Sequence, residues 1–122
     1  MNADFSKKIE EIAQKDSRYK PDAYGFVMQA LWFTQQKLKR SGHITAREFL
    51  EGVRDFGLNQ YGPMTKNVFE HWGIKGTSDF GEVIFNMIDS GLMKKSEEDN
   101  RGDFKDVYNF EEALNVFGVR QK

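Results

Sequence analysis

The sequence predicts a mainly α domain of the α+β class, a compact body of about five to six helices carrying one small antiparallel β-hairpin. Three observations predict it. Apolar residues recur at helical spacing through most of the chain, and helix-entry and helix-exit residues bracket those stretches. Two short runs, Leu92 to Lys95 and Phe104 to Tyr108, flank the polar loop Ser96 to Asp103, which supplies a glycine for the turn. With 122 residues the chain is long enough for one hydrophobic core. It is read as one domain over 1–122, with 1–18 a peripheral N-terminal helix and 21–118 the core.

Phe5, Ile9, Ile12 and Ala13 form a narrow apolar stripe from about Asp4 to Asp16, with Lys7, Lys8, Glu10 and Glu11 outward. Such a terminal helix docks on the domain or on another subunit. Pro21 suits a first helical turn, where its missing N–H costs nothing, and a long helix follows. Ala23, Phe26, Val27, Ala30, Leu31, Phe33 and Leu38 are its core candidates. Lys37, Lys39 and Arg40 complement the negative end of its dipole, and Gly42 is expected to take the left-handed exit. The next helix carries a capping box, Thr45 with Glu48, and a hydrophobic staple, Ile44 with Phe49. Phe49, Leu50, Val53 and Phe56 face inward, Gly57 admits a close neighbour, and Tyr61-Gly62-Pro63 ends the element. Pro63 opens a short helix from Met64 to Trp72, closed by a Schellman turn at Gly73 in which Ile74 meets Phe69.

Thr77 or Ser78 is expected to cap the most apolar helix, where Phe80, Val83, Ile84, Met87 and Ile88 hold helical spacing and Phe85 lies on a second face near Gly81. Gly91 and Leu92 repeat the exit signature. After the hairpin, Asn109 with Glu112 begins a closing helix with Phe110, Ala113, Leu114 and Phe117 inward, ending at Gly118. Helix, turn, helix, strand, loop, strand is a winged-helix-like order, in which His43-Ile44 would be a minimal strand pairing with the wing.

Composition limits the chemistry. There is no cysteine, which excludes a disulfide framework and a thiolate zinc site and makes a cytoplasmic setting the expectation. No apolar run is long enough to span a bilayer, and mean hydropathy is −0.69. The net charge of −1 is unevenly distributed. Residues 1–41 carry 8 basic and 5 acidic side chains, whereas residues 77–122 carry 6 and 10. The half that resembles a DNA-reading motif is thus the acidic half, with Asp79, Glu82 and Asp89 on its central helix and no Lys or Arg to meet phosphates.

The acidic loop does not make a calcium site. With Gly102 at position 6 of an EF-hand loop, Arg101 falls at position 5 and Tyr108 at position 12, where oxygen ligands belong. Gly73, Gly76 and Gly81 lack the strand and lysine of a phosphate loop. His43 and His71 have no metal spacing and no nucleophile to activate. No residue is assigned as catalytic, cofactor-binding or metal-binding. Two looser groupings remain. His71, Trp72 and Tyr61 could line a pocket for a small ligand, and Arg18, Lys20, Lys37, Lys39 and Arg40 could contact phosphates.

Across PDAYGFVMQAL, HITAREFLEGVRDFGLNQYGPM and VFEHWGIKGTSDFGEVIFNMIDSGLMKKSEEDNRGDFKDVYNFEEAL, roughly Tyr19 to Leu114, the chain resembles a family of small uncharacterised bacterial proteins, a domain of unknown function. The resemblance implies no activity, substrate or cofactor. From the residues themselves the expectation is a non-enzymatic module that binds another protein or itself. The alternatives are a nucleic-acid binder using the basic N-terminal half and a small-ligand or enzymatic module around His71.

Overall fold

The computed structural model describes residues 3–40, 42–94 and 100–115. Among these residues six α-helices follow one another: α1 (Ala3–Lys15), α2 (Pro21–Leu38), α3 (Ala46–Tyr61), α4 (Thr65–His71), α5 (Thr77–Asp89) and α6 (Phe110–Ala113). Short 3-10 turns occupy Gly62–Met64 and Arg101–Phe104. Among the described residues there is no strand, so the β-hairpin and the α+β, winged-helix-like class are incorrect.

The physical reason lies in how residues 100–108 satisfy their backbone. The Asn100 side chain accepts from the Gly102 N–H at 2.7 Å and winds a 3-10 turn. Phe104 then drops against Gly81, where a Cβ would stand 2.8 Å from the ring, and stacks edge-on to Phe85. Thr77 replaces a strand partner: its hydroxyl donates to the Phe104 carbonyl at 2.6 Å and accepts from the Val107 N–H at 3.0 Å. Asp106, at φ +50, breaks any extended run. On the other side, Leu92 N–H bonds back to Met87 O at 2.9 Å as part of the α5 exit, so Leu92 and Met93 are bends and Lys94 is irregular. The His43-Ile44 strand is likewise absent. The last residue of the first expected strand, Lys95, and the first part of the expected loop, Ser96 to Asp99, lie outside the described residues, as do Phe117 and Gly118.

The helix starts follow local chemistry. Thr45 and Glu48 exchange both bonds of the capping box, at 3.1 and 3.0 Å, and Asn109 accepts from Glu112 N–H at 3.3 Å. At α5 the N-cap is Gly76 rather than Thr77 or Ser78, because Thr77 is engaged with residues 104–107; Asp79 instead accepts the Lys75 N–H at 2.8 Å. At the end of α2 it is Lys39, at φ +55, and not Gly42, that turns left-handed. Gly73 N–H to Glu70 O and Ile74 N–H to Phe69 O, at 3.0 and 2.9 Å, complete the Schellman exit of α4.

The core is built on aromatic rings. Phe26 of α2 lies 5.2 Å from Phe69, 5.3 Å from Trp72 and 5.4 Å from Phe56, and Phe69 meets Phe80 edge-on at 5.2 Å. Phe110 closes this cluster from α6, 5.7 Å from Phe69. Beside it α2 and α3 approach closely at Thr34 and Gly52, and Gly57 sits against Thr65 and Phe69. Ile9 and Ile12 of α1 are buried against this body. Leu38, placed in the core from its spacing, is instead exposed.

Candidate functional site

The α1–α2 connector is fixed to α5 by a polar network. Arg18 makes a two-pronged pair with Asp16, Nε to Oδ1 at 2.8 Å and Nη2 to Oδ2 at 2.7 Å. Asn86 donates to Asp16 at 2.9 Å and to the Tyr24 hydroxyl at 3.0 Å, and Tyr19 donates to Asp79 at 2.5 Å. The Arg18 guanidinium holds the Asp16 carboxyl well below the usual range, against an opposing contribution from burial and with help from Asn86. Burial, then the bond to Asp79, pushes the Tyr19 phenol up. These groups bond to one another, and the network holds the start of α2 in place.

The five cations proposed for phosphate are divided by α2. Its 18 residues set the ends roughly 27 Å apart, with Arg18 and Lys20 before it and Lys37, Lys39 and Arg40 at its far end. Arg18 is held by Asp16, Lys37 by Asp55, and Arg40 by Glu48. The Glu48 carboxyl is correspondingly lowered to about 2, chiefly by Arg40 and then by the Thr45 N–H. Lys20 and Lys39 make no ion pair among the described residues.

Tyr61 and Trp72 do come together, edge-on at 5.9 Å, but Trp72 faces the core beside Phe26 and Phe69 while His71, the next residue back, is exposed. The Tyr61 phenol is raised by burial and then by nearby Asp22. Among the described residues, no three histidine, aspartate or glutamate side chains gather as a metal site.

Two surface features were not expected from the sequence. The first is the outward side of α2. Trp32 is 64 % exposed at its centre, the largest exposure of any large hydrophobic residue described. No charged residue occurs from Ala23 to Gln36, and Gly25, Gln29 and Gln36 surround Trp32 on that side. The helical period could have revealed it: Ala23, Phe26, Val27, Ala30 and Thr34 share the buried face, and Trp32 falls opposite.

The second is an apolar groove of about 480 Å³ on the neighbouring side of α2, floored by Leu31, Ile44, Ile84, Ile88 and Phe104. Gln35, His43 and Lys94 stand around it.

Together these features describe a small helical domain with an aromatic-centred, uncharged helix face. No protein-family model, curated protein or solved structure matches the chain. Among the described residues no helix is long and apolar enough to cross a membrane.

Proposed function

We propose that this domain is a non-enzymatic protein-interaction module of the cytoplasm, and that its contact surface is the outward side of α2. The observation that carries the reading is Trp32. Leaving an indole 64 % in water forfeits burial worth roughly 2 kcal/mol or more, and tryptophan is the residue most enriched at the centres of protein interfaces. The uncharged residues around it lower the desolvation cost of covering it. A nucleic-acid reading has less support, since carboxylates already neutralise Arg18, Lys37 and Arg40.

The test is retention of proteins from a lysate of the native organism on the immobilised domain at physiological salt, for wild type and Trp32→Glu. The same set of proteins should be lost from the variant while its helical circular dichroism and melting temperature stay within error. Retention indifferent to Trp32→Glu would overturn the assignment of this face.

A further inference from the structure

Independently of the Trp32 face, we propose that the apolar groove beside it binds a free single-chain carboxylate, its hydrocarbon along Ile84 and Ile88 and its head group at Lys94. The groove exists because α5 carries more apolar surface than the body of the domain covers. Val83 and Met87 turn into the core, whereas Ile84 and Ile88, one helical turn apart, are half-buried and line the groove. Phe49 and Phe104, which line it too, are themselves buried, so the groove opens onto side chains of the core. Its volume of about 480 Å³ lies in the lower half of the roughly 300–1,000 Å³ of small-ligand sites.

Charge selects the occupant. Among the described lining residues there is no aspartate or glutamate, and Lys94 is the one lysine or arginine. Four other clefts each hold at least one carboxylate, Asp16, Glu111, Asp22 and Asp4 in turn. Lys94 is exposed and makes no ion pair among the described residues, whereas Lys37 and Arg40 are held by Asp55 and Glu48. Asp89, the residue after Ile88, lines a different cleft with Lys8 and Lys15, and Glu48 is occupied by Arg40.

A single ammonium on a flexible stem suits a monoanion, while phosphate recognition favours the two-pronged arginine fork, which the described lining lacks. Gln35 and His43 supply the remaining polar lining. The carbonyls at the α5 exit, which would repel an anion, are already engaged: Gly91 N–H bonds to Ile88 O at 3.0 Å and Leu92 N–H to Met87 O at 2.9 Å. Hydrocarbon for most of its length and one negative charge at its end therefore describe the ligand.

The experiment is isothermal titration calorimetry with octanoate, decanoate and decylammonium, each below its micelle concentration, on wild type and Lys94→Glu. Methyl NMR of the decanoate-bound protein locates the site. Decanoate should bind wild type one per chain, about fifteenfold tighter than octanoate, since each methylene taken from water contributes about fourfold. Decylammonium should bind about tenfold more weakly than decanoate, and Lys94→Glu should weaken decanoate by about the same factor while its circular dichroism is unchanged. The methyl signals of Ile44, Ile84, Ile88 and Met93 should shift, and those of Ile9 and Ile12, which line other clefts, should not. No saturable binding up to millimolar decanoate overturns the proposal, as do decylammonium binding as tightly as decanoate, decanoate binding indifferent to Lys94→Glu, or shifts at Ile9 and Ile12 in place of the groove. None of these outcomes bears on retention of lysate proteins through Trp32, so the two readings fail separately.

Discussion

Substituting Gly52 by alanine sets two effects of known size against each other. In an exposed helix the change stabilises by about 1 kcal/mol, because glycine is the poorer helix former. In α3 the new methyl would stand 1.7 Å from Thr34 Oγ1, 2.9 Å from Thr34 Cβ and 3.2 Å from Thr34 Cγ2. Rotating Thr34 about χ1 moves the hydroxyl and methyl but leaves its Cβ in place, below the roughly 3.5 Å of ordinary carbon contact. Thr34 is 2 % exposed and donates to Ala30 O at 2.7 Å, so relief requires that bond to break or α2 and α3 to separate. Overpacking costs about 1–3 kcal/mol and the disturbed hydrogen bond about 1. After the helix-propensity gain, Gly52→Ala should destabilise by about 2 kcal/mol, lowering the melting temperature by roughly 5–10 °C for a chain of this size. Thermal melts and urea titrations read it. Thr34→Ala in the same chain should recover part of the loss. A Gly52→Ala protein more stable than wild type would refute the close α2–α3 approach, and with it the packing that fixes which side of α2 faces outward.

Acid sensitivity follows from Asp16. Its folded pKa lies below its ordinary value of 3.8, so its contribution is fully present above that value and is lost as pH falls further toward the folded pKa. Urea unfolding between about pH 7 and about pH 3 should therefore show wild type losing stability more steeply below about pH 4 than Asp16→Asn, and parallel curves would contradict the Arg18–Asp16 pairing. Thr77→Val keeps the side-chain shape but leaves the Phe104 carbonyl and the Val107 N–H without their partner. It should cost about 1–3 kcal/mol in denaturant titrations and speed amide exchange at Val107, and unchanged exchange there would show that the hydroxyl does not hold this segment.

How much could be read from the sequence depended on whether a local signal had one structural meaning. Thr45 with Glu48 and Gly73 before Ile74 satisfy particular orphan groups at a helix end, Pro21 removes one by lacking an N–H, and each does so in the structure. Phe104 to Tyr108 carried no such constraint. Short apolar runs fit a strand or an irregular segment equally well, and the deciding partner, Thr77, lies 27 residues from Phe104 in sequence. Thr77 was itself read as a cap, so one long-range hydroxyl displaced two local expectations. The cations of the α2 end were misleading for a related reason: Asp55 and Glu48, which hold Lys37 and Arg40, come from the next helix.

The two tryptophans show how the same misreading reached the candidate site. Trp72 drew attention because a histidine and a nearby tyrosine suggested a pocket, yet the Schellman exit that places Ile74 against Phe69 also turns Trp72 into the ring cluster around Phe26. Trp32 lay unremarked inside an apolar run, although the phase of that run puts it outside. Composition weighs both residues equally; helical phase separates them. Thr34 against Gly52 fixes that phase by holding one side of α2 to α3, leaving the opposite side, with Trp32 and its uncharged neighbours, exposed to solvent.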